Sequence, residues 1–420
     1  MRRLGAVTAG VWLAAAVALG VQAQPAPGGV VAAYYAGGAP EKLTAQTTAK
    51  LTHIIYAFVP VCGDTTERKP SVAGPAARPG APDPCAGLAP GSLIMPDTEA
   101  ARRDLAQLAS LKAARPELTI IASVGGWGMG EYPAIVRDPQ RRRAFASSAA
   151  ALLSTHRHFD GIDIDWEYPG GGDEARPLLT GDEREVERRG HAALVHEVRV
   201  ALDVAGAAQG RPLLLTCAVA GYPRAVDAID WPAVQQAFDL IFVMTYDFTP
   251  ERSFQRLGDY SGAGGPPGHH TNLFATPASG GMGGDAMIMA LAEAGAPLSK
   301  TAMGVGFYGR EWTRVSWDGP VGGTGGDGRF VGAPSWRELK GRGLAAKGYR
   351  QGWDPQAGAS YLAQSRGGGF ISLDDPRSIR AKGEWARRHG LAGLFAWQLG
   401  QDDGTLVDAM GAAVAAVAQR

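Results

Sequence analysis

Phe159-Asp160-Gly161-Ile162-Asp163-Ile164-Asp165-Trp166-Glu167-Tyr168-Pro169-Gly170 alternates acidic and apolar residues at a period of two. Side chains alternate across an extended strand, so Asp163, Asp165 and Glu167 share one face and Ile162, Ile164 and Trp166 the other. Neighbours on a face lie about 6.5–7 Å apart along the backbone. The apolar residues between the acids argue for burial on both sides. Three buried carboxyls cannot all ionise cheaply, because repulsion and desolvation push at least one pKa upward. A carboxylic acid kept protonated near neutral pH is what glycosidic cleavage needs, since the leaving oxygen must receive a proton. Asp160 falls on the opposite parity and reads as structural support. Two other readings fit less well. A calcium loop needs a glycine at its sixth position and flexible residues, where this segment continues as strand. A merely solvated acidic face does not explain Ile, Ile and Trp between the acids.

Seven more apolar runs flank this one: Val30–Tyr35, His53–Val59, Leu118–Val124, Leu213–Val219, Leu240–Tyr246, Thr301–Phe307 and Leu391–Trp397, with the acidic strand itself taken as Phe159–Trp166. Helical patterns separate most of them: Pro96–Arg115 (with Asp97 as cap and Leu105, Leu108 and Leu111 on one face), Ser147–Arg157, Glu183–Ala208, Ala286–Ala294 and Arg377–His389. Eight strands alternating with helices predict parallel βαβ units of the α/β class, closed as a (β/α)8 TIM barrel. An open doubly wound sheet is the rival fold. The row of acids ends at the C-terminal end of its strand, where barrel enzymes place their chemistry.

A plain barrel takes about 250 residues, and the excess in this 420-residue chain is localised. It falls in a Pro-rich loop from Cys62 to Pro96, a Gly/Pro-rich stretch Gly258–Gly284 over the active face, and a region of about 312–373 between strand 7 and helix 7. The last reads as a small α+β insertion. Its tryptophans Trp312, Trp317 and Trp353 suit either a sugar track or packing, while Trp231 and Trp385 lie in helical stretches and read as core.

With 45% hydrophobic and 20% charged residues the chain can bury a sizeable core, and its 41 basic residues balance 41 acidic ones. Nothing therefore favours a nucleic-acid or anionic-membrane partner. Residues 1–23 read as a signal peptide: Arg2 and Arg3, then the apolar Gly10–Val21, then Val21-Gln22-Ala23 before the cut. An uncleaved anchor is the alternative. The mature chain, 24–420, is expected to be one secreted catalytic domain (extracellular or periplasmic), monomeric and free of the membrane after cleavage. Cys62 and Cys85 bracket the Pro-rich loop and suit a disulfide worth about 3 kcal/mol. Cys217, in the run LLLTCAVAG, reads as a buried thiol. No His/Cys cluster suggests a metal, and no cofactor is expected.

The stretch DGIDIDWEYPG resembles the signature of family 18 glycoside hydrolases, in which DxxDxDxE ends at the catalytic acid. Other segments are similar to that family in its own order: Tyr34, Tyr56-Ala57-Phe58, Ser123-Val124-Gly125-Gly126-Trp127, Met244-Thr245-Tyr246-Asp247, Phe307-Tyr308-Gly309-Arg310 and Phe395-Ala396-Trp397. The resemblance runs from about Val30 to Gly404. It implies the chitinase branch with its α+β insertion, and a retaining mechanism in which the substrate supplies the nucleophile. The N-acetyl oxygen attacks its own anomeric carbon while Glu167 acts as acid and then base. Asp165 holds the acetamide N–H, Asp163 sits behind it sharing a proton, and Tyr246 donates to the acetamide oxygen. The resemblance also implies that Trp397 floors the cleavage subsite and that Tyr34, Phe58, Gly125, Gly126, Trp127, Tyr168, Met244, Asp247, Tyr308 and Arg310 line the sugar. The implied partner is chitin or a chitooligosaccharide. A sibling enzyme acting on N-glycans or peptidoglycan, and a lectin-like protein that binds chitin without cutting it, are the alternative functions.

Overall fold

The computed structural model describes residues 29–38, 43–63, 83–172, 176–248, 267–317, 321, 327–364 and 368–415. Eight parallel strands close into a barrel in the order β1-β13-β7-β6-β5-β4-β3-β2. They are β1 (Val30–Ala36), β2 (His53–Val59), β3 (Thr119–Gly125), β4 (Gly161–Asp165), β5 (Leu214–Ala220), β6 (Leu240–Met244), β7 (Thr301–Gly306) and β13 (Gly393–Trp397). The open-sheet alternative is thereby excluded. All eight match the expected runs, with starts or ends that differ by no more than two residues.

The period-two reading of the acidic strand holds. Ile162, Ile164 and Trp166 pack outward in the main core between barrel and helices, with Leu194, Val195 and Val198 in the same cluster. The barrel interior is a second, aromatic core built on Tyr34, Ile55, Phe242, Tyr246 and Phe395. Asp163 and Asp165 are buried at 0% and 3% exposure.

Six long helices cover the barrel among the described residues: α1 (Glu99–Ala114), α2 (Pro139–Thr155), α3 (Gly181–Gln209), α4 (Gly284–Glu293), α5 (Pro376–Arg388) and α6 (Thr405–Ala415). Two details correct the sequence reading. The N-cap of α1 is Thr98, whose hydroxyl accepts from Ala101 N at 3.0 Å, and Asp97 instead pairs with Arg102. Helix α2 starts at Pro139, capped by Asp138, eight residues before the expected Ser147. Its first turn is Gln140-Arg141-Arg142-Arg143, which offers no apolar period to read.

Between β7 and α5 lies a five-stranded antiparallel sheet, in the order β10-β11-β12-β8-β9. Its strands are β8 (Gly309–Ser316), β9 (Asp327–Gly332), β10 (Tyr349–Asp354), β11 (Ala359–Gln364) and β12 (Gly368–Leu373), with a short helix Trp336–Gly341. The insertion thus begins three residues before the expected Trp312. Trp312 is fully buried against Phe330 and Phe370, so it is packing rather than a sugar track. Trp317 edges onto Phe370 and Trp353 lies under Arg377. Trp231 and Trp385 are buried as core. The completely buried pair Lys382–Asp374, 2.7 Å apart, ties α5 to β7, where Asp374 also accepts from Gly306 N at 3.1 Å.

Cys62 and Cys85 form a disulfide and Cys217 is a buried free thiol. No helix among the described residues is long and apolar enough to cross a membrane. The leader reading (1–23) lies outside the described residues, as do the first nine residues, 258–266, of the stretch ascribed to the Gly/Pro-rich loop after β6.

Candidate active site

The acidic row rises through the barrel towards its C-terminal mouth, and each member has a different environment. Asp163, deepest, accepts from Tyr34 Oη (2.9 Å) and Ser123 Oγ (2.7 Å) on Oδ2, and from Thr216 Oγ1 (2.7 Å) on Oδ1. Burial pushes its pKa up while the three hydroxyls pull it down. Hydroxyl donors favour the charged carboxylate, so Asp163 is the member best equipped to stay ionised. Asp165 has no such support: its Oδ1 is buried without a hydrogen-bond partner. Burial first, then repulsion from Glu167 and Asp163, drives its carboxyl well above the usual range. Of the two aspartates, Asp165 is therefore the more strongly driven towards its protonated form.

Glu167 is half-buried at the mouth. Desolvation and the neighbouring charge of Asp247 push its pKa up to about 7, against hydrogen bonds from the Tyr168 side chain and the Trp127 backbone N–H. That is the poise of a general acid working near neutral pH.

The opposite wall comes from β6, β7 and the start of the insertion. Asp247 adopts a left-handed backbone, φ 63°. Arg310 Nε donates to its Oδ1 at 2.8 Å, and His270 Nδ1 lies 3.6 Å from the same oxygen. Burial pushes the Asp247 carboxyl up, but Arg310 and His270 outweigh it and hold it well below the usual range. Tyr246 is buried, with its ring edge-on to Tyr308 and tilted against Phe395. Burial first, then the surrounding carboxyls, keep its phenol protonated and hence a donor. On the floor, Trp397 stacks on Phe58 at 5.8 Å and 20°, and leans on Tyr34. Trp397, Phe58, Trp127 and Met244 are half-buried, with faces left open.

The fold brings all the candidate residues to this one mouth, in different roles. Tyr34 is 1% exposed and serves as a donor to Asp163 and as a packing partner of Trp397. Gly125 and Gly126, at φ 130° and 88°, allow close backbone approach: a Cβ would collide with the Asp165 carbonyl and the Phe58 ring respectively. Asp160 supports the strand from below through Lys112, Arg211 and Ile120 N. Among the described residues no group of three or more His, Cys, Asp or Glu is placed to hold a metal.

Sequence reasoning did not single out Thr216, His270 or Tyr222 as functional. Thr216 had a signal, a hydroxyl in an otherwise apolar strand. Tyr222 donates its hydroxyl to the Glu167 carbonyl at 2.9 Å, and His270 faces Asp247 from a loop. No periodicity marks either of them.

The profile described as glycosyl hydrolases family 18 matches residues 30–402. Chitinase A of Pseudoalteromonas piscicida is 32% identical over 91% of this chain, and the match spans 52% of that protein. A probable endochitinase of Orgyia pseudotsugata multicapsid polyhedrosis virus is 31% identical over 86% of this chain and 67% of its own. The chain thus spans about half the length of the first of these relatives. Among solved structures, a family 18 N-acetylglucosaminidase from Paenibacillus barengoltzii is 29% identical with a TM-score of 0.73, covering 92% of this chain and 99% of that one. A chitinase from Bacillus thuringiensis has a TM-score of 0.75 at 25% identity, covering 93% and 71%.

Proposed function

Because the chain belongs to family 18 of the glycosyl hydrolases, we propose that it is a chitinase that cleaves β-1,4 N-acetylglucosamine linkages with retention, by substrate-assisted catalysis. The observation that carries this reading is the row of three carboxyls at one mouth: Asp163 held by three hydroxyls, Asp165 with a buried oxygen that has no hydrogen-bond partner, and Glu167 half-buried at the opening.

Glu167 protonates the leaving oxygen as the bond to the anomeric carbon breaks. The acetamide oxygen of the same sugar forms the new bond to that carbon, so no second protein carboxylate is needed as nucleophile. Asp165 carries its proton on one oxygen and accepts the acetamide N–H with the other, which aligns the attacking carbonyl. Tyr246 donates to that carbonyl oxygen and steers it. The anionic Asp163 beneath, coupled to Asp165, offsets the positive charge that develops on the ring–amide ion. Glu167, now a carboxylate, then takes a proton from the incoming water, which opens the ring and restores the enzyme.

Trp397 supports the sugar at the cleavage point through its ring face, and Trp127, Phe58, Tyr168, Met244 and Tyr308 add contact around it. Asp247, fixed by Arg310, supplies hydrogen bonding at the same subsite. The protein is read as exported and monomeric, with chitin or chitooligosaccharide as its partner.

Rates on chitotetraose, a high-mannose glycopeptide and cell-wall sacculi test the assignment. A chitinase cleaves the first and leaves the others essentially intact. Preferential release from the glycopeptide or the sacculi contradicts it, and binding of chitotetraose without cleavage indicates a lectin.

A further inference from the structure

The peptide that follows the proton donor is gripped from behind the barrel wall by a buried ion cluster, and we propose that Glu187 and Arg176 are positioning residues for Glu167. The inference rests on Glu167 being the acid of the reading above.

Glu187 lies on α3 and is 1% exposed. Its Oε1 accepts from Arg176 Nη1 at 2.8 Å and Arg137 Nη2 at 3.0 Å, and its Oε2 accepts from Gly170 N at 3.3 Å. Arg176 Nη2 donates to the Tyr168 carbonyl at 2.8 Å. One carboxylate and one guanidinium thus hold the two peptide groups that flank Pro169. Tyr168, so held, is the residue whose side chain bonds to the Glu167 carboxylate.

The segment needs an external grip. Gly170, Gly171 and Gly172 are all left-handed, at φ 76°, 79° and 85°, and bring no side chains of their own to pack. The β5 side adds a second hold: Tyr222 Oη donates to the Glu167 carbonyl at 2.9 Å, and Arg224 Nη2 donates to Gly172 O at 3.1 Å. A carboxylate this deeply buried is costly to desolvate. Simple docking of a surface loop does not require one. Aiming a carboxyl to within a fraction of an ångström does, because small misplacements cost large factors in rate.

The test uses Glu187→Gln and Arg176→Met in the full-length chain, with Arg137→Met as control, assayed on chitotetraose from pH 4 to 9. Melting is followed in parallel. Glu187→Gln and Arg176→Met should lower kcat about 10-fold with little change in KM. They should also move the alkaline limb of kcat upward by about half a pH unit, because loosening the Tyr168 bond removes a stabiliser of ionised Glu167. Arg137→Met, which leaves Arg176 on both of its partners, should lower Tm and leave the limb in place. Tyr168→Phe should shift the limb as Glu187→Gln does, and combining the two should shift it no further. Arg176→Met keeps Arg137 as counter-charge to Glu187, so it remains informative if Glu187→Gln does not fold. A lower Tm with wild-type kcat and an unmoved limb in Arg176→Met overturns the proposal. Failure of the underlying reading looks different: Glu167→Gln itself would keep its turnover.

Discussion

The carboxyl of Glu167 and its two companions differ in what surrounds them rather than in what they are. If Glu167 is the acid, as proposed, its removal leaves no proton donor for the leaving group, so Glu167→Gln should lose about 10³-fold or more in kcat while still binding chitotetraose, as calorimetry can check. Tyr246→Phe keeps the ring and deletes the donor, and should cost about 10²-fold in kcat, the scale of one lost donor at a reacting oxygen. The poise of Glu167 near 7 owes part of its elevation to the Asp247 charge. The alkaline limb of kcat/KM should therefore fall near pH 7 in the native enzyme and move to lower pH in Asp247→Asn, in which that repulsion is gone. At this scale the sequence was highly legible. A period of two puts Asp163, Asp165 and Glu167 on one face without any further information. Which acid holds the proton was not legible, because Tyr34, Ser123 and Thr216 come from three other strands.

Strands and helices were readable wherever burial imposed a period. Apart from the acidic β4, the barrel strands are short, nearly continuous apolar runs because both their faces are covered. The start of α2 was missed because Gln140 to Arg143 present no apolar stripe, and the cap of α1 because Asp97 and Thr98 both satisfy the capping chemistry. Loop residues such as His270 and Tyr222 carry no period, and their roles follow only from closure of the barrel. The insertion was legible as surplus length but not as a sheet, and Trp312 looked as suitable for sugar as for packing until Phe330 and Phe370 enclosed it. The Cys62–Cys85 link belongs to this scale too. Cys62→Ser should lower unfolding stability by about 3 kcal/mol and leave kcat near native, since the link lies outside the acidic row.

The whole barrel is the device that makes the row work, since it carries residues from every part of the chain to one mouth and shields them from water. That shielding has a measurable cost. Asp163, Asp165 and Glu167 all have folded pKa values above their unfolded ones, so the folded chain binds extra protons. Their contribution makes stability fall as pH rises from about 4 through about 7. Asp247, held low, contributes with the opposite sign, and its stabilisation is lost only as pH falls below about 4. Glu167→Gln should accordingly melt a few degrees higher than the native chain at pH 8, with the difference vanishing near pH 4. Because the proposed mechanism makes the sugar's own amide the attacking group, one comparison bears on the chemistry most directly: the rate of release from an aryl chitobioside against the same glycoside lacking the acetyl group on the sugar next to the aryl group. The barrel described here predicts a drop of about 10³-fold or more, in keeping with the loss of a well-oriented intramolecular nucleophile. Similar rates for the two glycosides would contradict it.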